Sequence, residues 1–451
     1  MTHLRLRYAL NERPPLGKAL LFSLQWLVIC VPFVIIIGNV VAGLHFSEAD
    51  KQVMYLQRLF FVTGLSVLLQ AYYGHRLPVL SGPAAILLVG VVTALSKSYD
   101  VIYSSMALGG LLLLGASVTG LFKRLTGLFT PRIVAVILLL IAFTLAPTIM
   151  KMIVTISAGI PVIDNLLFSL LLLFVMLLAG RFLRGIWKST LVVWAIMSGT
   201  LLYRILFPMR IINPASVHFK ISLDYLSMGI SQVTLEIPVV AAFLICFLAL
   251  LINDLGSIQA MERLIQPDLM EKRITRGVAC TGLSNLLAGF LGVIGPVNYS
   301  FSAGVVLVAG CASFWVLAPA GLGLLLISLF PGVIAILGSI PQAVTGTILL
   351  YIMCSQMTSG LQIIADDPGP YTLESGIIIA TPILIGTMIA FLPAAVVANF
   401  PAMLRPIIGN GFIVGVLTVF IMEHVIFPAS PRSRPQDKLS KGDDIDERGR
   451  Y

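Results

Sequence analysis

Two short stretches decide the reading of this chain: Leu80-Ser81-Gly82-Pro83-Ala84-Ala85 and Ile294-Gly295-Pro296-Val297-Asn298. Each lies in or beside a short apolar run and sets a Gly-Pro pair near the depth where a membrane helix has its middle. Proline lacks an amide donor and glycine relaxes the backbone, so such a pair interrupts or starts a helix. Backbone groups freed in hydrocarbon persist only where protein or a cavity satisfies them. A single break reads as a kink in a packed helix. Two breaks at corresponding places in two halves point instead to a transporter binding site. The half-helices that begin there would aim amide N–H groups and partial positive charge inward.

The surrounding composition supports a membrane reading. Of 451 residues, 58% are hydrophobic and 11% charged, too few polar groups to cover a soluble protein of this size. Apolar runs of about 18 residues or more recur along the chain, each able to cross roughly 30 Å of hydrocarbon, and such runs must be helical there. We segment fourteen spans, near 17–43, 55–73, 78–95, 102–122, 132–150, 162–181, 188–206, 236–255, 278–293, 298–312, 313–331, 340–358, 376–395 and 402–427. The long polar gap from Pro208 to Gln232 divides them into two groups of seven, and the third run of each group carries the Gly-Pro break. The expected fold class is an all-α polytopic membrane protein. Its organisation is a cytoplasmic N-terminal segment 1–16, a first seven-span unit 17–206, a loop 207–235, a second unit 236–427 and a flexible cytoplasmic tail 428–451.

Loop charges orient it. Arg5, Arg7, Arg13 and Lys18 precede the first span. Loops after even-numbered spans carry His75 with Arg76, Lys123 with Arg124 and Arg132, Arg181 with Arg184 and Lys188, and Arg263 with Lys272, Arg273 and Arg276. Loops after odd-numbered spans hold scattered basic residues, that after the seventh span fitting least well. The asymmetry places both termini in the cytoplasm, across a bacterial-type inner membrane. The net charge of +9 therefore reports orientation on lipid, and no nucleic-acid partner is expected.

Ionisable residues inside spans mark pathways or relays. Asp254, in Asn253-Asp254-Leu255-Gly256-Ser257, is the leading candidate, as a proton-coupling group; the competing reading makes it the cap of a helix starting after Gly256. Asn285 and Asn298 read as amides that fix broken backbone. Glu236, Asp366, Asp367, Glu423 and His424 read as solvated or snorkelling. The five cysteines form no C-x-x-C pair and read as buried free thiols. No histidines pair at metal-ligand spacing, and no P-loop, H-E-x-x-H or Gly-x-Ser-x-Gly occurs. We expect no metal, no cofactor and no enzyme activity.

These segments together resemble the nucleobase–ascorbate transporter family, the xanthine/uracil permeases. The likeness rests on Ser23-Leu24-Gln25-Trp26, on Leu80 to Ala85, on Asn253 to Ser257, on Gly282 to Phe290 followed by Pro296 to Phe301, and on Ile340 to Gly346 with Tyr351. The resemblance implies a seven-plus-seven inverted repeat with core and gate domains, β-like pieces of the third and tenth spans meeting at the substrate, and a possible homodimer. Carried over by position, the family's substrate-binding places fall on Asn253, Ser257, Ala85, Phe301, Ser302, Ala303, Gly304 and Tyr351, and the helix-break places on Gly82, Pro83, Gly295, Pro296 and Asn298. Two positions where the family carries a carboxylate are uncharged here, at Asn253 and Ala303. The resemblance implies a transporter of a small heterocyclic solute, coupled to H+, with Asp254 standing in for the missing acid. The alternative is a same-fold transporter of another small anion.

Overall fold

The computed structural model describes residues 7–120, 130–154, 161–184, 186–207, 221–299, 301–366, 372–393, 396–397, 399–401 and 405–428. Residues 429–451 of the expected tail and 208–220 of the loop 207–235 therefore lie outside the described residues, as does Asp367. Fifteen helices of eight residues or more and two strands follow in this order: α1 Leu16–His45, α2 Ala49–Tyr72, β1 Ser81–Pro83, α3 Ala85–Thr93, α4 Tyr99–Val118, α5 Pro131–Val154, α6 Val162–Phe182, α7 Leu191–Leu206, α8 Ile237–Ile265, α9 Met270–Phe290, β2 Pro296–Asn298, α10 Ser302–Ala309, α11 Leu317–Ser328, α12 Pro331–Gly338, α13 Gln342–Ala365, α14 Leu373–Ala390 and α15 Gly411–Ile421. Among the described residues, eight helices are long and apolar enough to cross a membrane, or nine if a bent pair counts as one span. This is a multi-pass membrane protein.

Several segment boundaries differ from the sequence reading. The third and tenth runs divide into a strand and a short helix, because Gly82-Pro83 and Gly295-Pro296 cannot continue a helical hydrogen-bond ladder. The eleventh run ends in a 95° bend, at which Pro331 starts the separate helix α12. Helix α8 continues to Ile265, ten residues past the expected edge, since its polar end packs on protein. Asp254 therefore sits inside an unbroken helix and is not the cap of a following one. Glu236, expected to be solvated, pairs with Lys97 at 2.5 Å. Glu423, expected to snorkel, is buried in a π-helical turn at the end of α15.

Packing follows the small residues. Helix α4 lies against α9 so closely that a Cβ on Gly282 would sit 2.6 Å from the backbone nitrogen of Leu114, and one on Gly289 2.5 Å from that of Ala107. Helix α2 lies against α11 in the same manner, with a Cβ on Gly64 falling 2.8 Å from the carbonyl of Gly321. With lipid as apolar as leucine, such close approach supplies the dispersion contacts that hold membrane helices together. Helices α5, α6, α13, α14 and α15 pack mainly on one another; α1 to α4 pack with α8 to α11 around the two strands.

Replacing Gly282 by Leu will separate α4 from α9, because the clash is with backbone that cannot swing aside. Overpacking of this kind costs about 1–3 kcal/mol or more. The variant's melting temperature in detergent should fall well below that of Gly43→Ala, whose added Cβ meets nothing within 4 Å.

Candidate functional site

Strands β1 and β2 pair antiparallel in the register Ser81↔Asn298, Gly82↔Val297 and Pro83↔Pro296. The ladder continues past both ends, where the Ala84 amide donates to the Gly295 carbonyl at 2.9 Å and the Tyr299 amide to Leu80 at 2.8 Å. Each break thus satisfies the backbone groups that the other leaves open. Gly82 is required by close approach, since a Cβ there would fall 2.6 Å from the Tyr299 hydroxyl, which donates to the Pro83 carbonyl. Helices α3 and α10 start from opposite ends of this two-stranded ribbon, and no side chain caps either one. The Ser302 amide is spent on the Tyr299 carbonyl at 3.1 Å, while the amides of Ala85, Ile86 and Ala303 have no acceptor among the described residues.

Asp254 is fully buried beside the ribbon. One carboxylate oxygen accepts the backbone amide of Asn298 at 3.1 Å, and the other accepts the Thr281 hydroxyl at 2.9 Å. Ser257, one turn on, donates to the Asn298 carbonyl at 2.7 Å and to the carbonyl of Asn253 at 2.8 Å. The Asn298 side-chain oxygen receives the Ser81 hydroxyl at 2.6 Å and His75 Nε2 at 3.4 Å. His75 Nδ1 accepts the Leu77 amide, which leaves the proton on Nε2. Asn285 donates from its amide nitrogen to the carbonyls of Thr281 and Pro296, both at 2.8 Å. Gln70 adds a bond to the Thr281 hydroxyl at 2.9 Å. One polar network therefore runs from α2 through α8 and α9 to both strands.

The remaining sequence-predicted residues fall in different places. Ser302 is buried and its hydroxyl accepts the Leu80 amide at 3.1 Å. Ala85 and Ala303 are half-buried at the first turns of α3 and α10, Gly304 is exposed, and Asn253 is half-buried on α8. Phe301 stacks on Phe33 of α1 and on Tyr299, each with ring centroids 5.0 Å apart. Tyr351 stands apart on α13, near Gly180 of α6, and no hydrogen bond or ring contact among the described residues joins it to the ribbon. Sequence reasoning nominated neither Phe33 and Tyr299 nor the supporting trio His75, Gln70 and Thr281. Tyr299 directly follows Asn298 and was within reach of the pattern; Phe33 lies too far away in sequence to signal its place.

A many-span helical bundle in which two strand–helix breaks meet beside a buried acid is the architecture of a membrane carrier. The permease family model (Xan_ur_permease) matches residues 17–395, and the chain belongs to this family. It is a transporter. Among its relatives are the uric acid permease PucJ of Bacillus subtilis, 24% identical over 424 residues that cover 90% of this chain and 92% of that one. Xanthine permease XanP of Escherichia coli is 23% identical over 444 residues, covering 93% and 94%. In fold, the chain is similar to the transmembrane domain of the cyanobacterial bicarbonate transporter BicA, with a TM-score of 0.60 at 16% identity over 83% of this chain and 96% of that one. The murine anion transporter Slc26a9 in its inward-facing state gives 0.57 at 13% identity over 91% and 69%.

His75 lies between spans, and burial pushes its pKa down from 6.5 to about 4, opposed by its bond to Asn298 and aided by the Arg273 charge. The unfolded chain takes up this proton near pH 6.5 and the folded one only near 4. Stability from this group is thus whole above 6.5 and lost as pH falls toward 4, by up to about 3 kcal/mol. Melting temperatures from pH 7.5 to 4.5 should drop less steeply for His75→Gln than for the unmutated protein; parallel curves would contradict a buried neutral histidine.

Proposed function

We propose that this transporter moves a purine or pyrimidine nucleobase across the inner membrane by alternating access, in symport with protons. The observation that carries the reading is the β1–β2 ribbon gripped by Asp254, with the stacked rings of Phe33, Tyr299 and Phe301 beside it. Flat heterocycles stack on such rings, and open amides at the starts of α3 and α10 offer donors to their carbonyl oxygens. The names of relatives that span nine-tenths of the chain, a uric acid permease and a xanthine permease among them, support the same substrate class. The anion alternative rests on fold likeness and on the uncharged places at Asn253, Ser257, Ser302 and Ala303, and the relatives' names do not favour it.

Fourteen spans in a seven-plus-seven inverted repeat, with a core and a gate, belong to this proposal. Exchanging each helix for its counterpart seven spans later turns the α2–α11 contact into the α9–α4 contact, and both pairings are extensive. The antiparallel ribbon likewise pairs one repeat's break with the other's. Cytoplasmic termini follow from the loop charges, and a homodimer from fold analogy. In this arrangement Asn253, Ser257, Ala85, Phe301, Ser302, Ala303 and Gly304 surround the solute, and Tyr351 faces it from the gate. Gly82, Pro83, Gly295, Pro296 and Asn298 form the break itself. Asp254 is the coupling group: a proton on either oxygen removes an acceptor from Thr281 or from the Asn298 amide, so the hold on β2 changes with protonation.

Uptake into proteoliposomes of radiolabelled xanthine, urate and uracil, with and without an inward proton gradient, tests the proposal. At least one heterocycle should accumulate with the gradient. Asp254→Asn, which keeps an acceptor for the Asn298 amide, should lower gradient-driven accumulation about tenfold or more while counterflow exchange persists. Uptake indifferent to the gradient would remove the coupling; no uptake of any heterocycle would remove the substrate class.

A further inference from the structure

A second polar cluster lies away from the ribbon, between the end of α1, the second turn and beyond of α2, the start of α4 and the turn that follows α9. Its centre is Arg58, whose side chain is wholly buried. Nε donates to the Met54 carbonyl at 3.3 Å, and Nη1 donates to the carbonyls of Met228 and Leu291 and toward the Tyr99 hydroxyl. Nη2 is buried and has no partner among the described residues. No carboxylate of the described residues forms an ion pair with this guanidinium. Asp100, the acid next to Tyr99 in sequence, accepts the Ser231 amide instead. The segment 208–220, which precedes Met228 in the chain and lies outside the described residues, contains neither Asp nor Glu.

The surroundings are rich in donors as well. Tyr55 accepts the Ile294 amide at 3.0 Å, and its hydroxyl shares one bond with Tyr103 at 3.4 Å. Whichever phenol donates in that bond, one phenolic proton of the pair is left with no acceptor. Tyr99 donates to the Gly292 carbonyl. The His45 ring packs on Tyr99 and Tyr103, and its Nε2 is also buried without a partner. A buried cation with unused N–H groups and an unused phenolic proton leave positive charge and donors uncompensated, and the unpaired imidazole nitrogen gives or takes a hydrogen bond according to its tautomer. Groups of this kind are costly to bury alone, and orphaned buried donors call for a partner.

We propose that this cluster is a binding site for a small monatomic anion of the halide class, seated on Arg58 Nη2 between the Tyr55–Tyr103 pair and His45. A single free guanidinium nitrogen favours a monatomic anion over an oxyanion, because Nη1 is already spent on carbonyls and the bidentate fork that grips phosphate or carboxylate is broken. The bound anion ties α1, α2, α4 and the α9–β2 turn together. The site is separate from the proposed solute site and stands whichever solute is carried.

The test uses the purified full chain exchanged into sodium gluconate and titrated with sodium chloride, bromide or sulfate at constant ionic strength, with melting temperature as readout. Chloride and bromide should each raise it along a saturating curve, and sulfate should not. The halide midpoint should rise about tenfold or more in Arg58→Gln and less in Tyr55→Phe, while Lys51→Gln, on the surface, follows the unmutated protein. Crystals grown in bromide should show an anomalous peak within hydrogen-bond distance of Arg58 Nη2. If Arg58→Gln does not fold, the titration of the unmutated chain and the bromide peak still decide. Melting indifferent to halide, equal stabilisation by sulfate, a midpoint unmoved in a folded Arg58→Gln, or bromide found only elsewhere would overturn the proposal and leave Arg58 as a brace for loop carbonyls.

Discussion

Everything near the centre of this protein depends on one constraint: two stretches of membrane-embedded backbone have given up helical hydrogen bonds, and no water is present to replace them. The solution is mutual. Three residues of β1 and three of β2 pair with each other, and the flanking amides of Ala84 and Tyr299 extend the pairing by one bond at each end. A two-stranded ribbon is marginal by itself. Here it is held by side chains from the unbroken helices α8 and α9 and by Ser302 at the start of α10. Asp254 and Ser257 from α8 take the Asn298 amide and carbonyl, Asn285 from α9 takes the Pro296 carbonyl, and Ser302 takes the Leu80 amide.

That arrangement explains why an ionisable residue is tolerated at depth. Asp254 has no cationic partner among the described residues, and its two oxygens are occupied by a backbone amide, that of Asn298, and the Thr281 hydroxyl. The carboxylate therefore serves the break before it serves any solute. Ser257 is committed in the same way, its hydroxyl shared between two carbonyls. Of the α8 residues matched to the family's binding positions, Asn253 is the one whose side chain is left free of described bonds. In the proposed site, solute recognition at α8 would fall to a neutral amide, which offers both a donor and an acceptor where a carboxylate offers acceptors alone.

The breaks were legible because Gly-Pro in an apolar run has few meanings, and Asp254 because charge inside a span is costly. That the chain crosses the membrane many times as helices was legible from hydropathy; the described residues show eight helices, or nine with the bent pair, long and apolar enough to do so. What could not be read was apposition. Register between β1 and β2 joins residues more than two hundred positions apart, and nothing local in Ser81 announces Asn298. His75 reads as one more loop histidine until the ribbon brings the Asn298 oxygen to it. The eleventh span ends at 331 in the sequence, where Pro331 turns the chain, but the short apolar stretch after it reads there as a gap between spans and forms the separate helix α12. Glu423 misled for the opposite reason: a carboxylate close to a span's end ordinarily reaches water, and here a π-helical turn carries it inward.

Arg58 and Asp254 pose the same electrostatic problem and resolve it differently. Each is fully buried, each lacks an ion-pair partner among the described residues, and each braces broken or looped backbone. Asp254 has as many donors around it as its oxygens use. Arg58 has fewer acceptors than its nitrogens need, and the Tyr55 oxygen beside it is already taken by the Ile294 amide and the Tyr103 hydroxyl. A buried group whose hydrogen bonds are complete can hold a fold by itself. A buried guanidinium with a nitrogen short of acceptors, beside a phenol whose proton is unused, is completed by something from outside the chain, and the chemistry of the proposed completion is an anion.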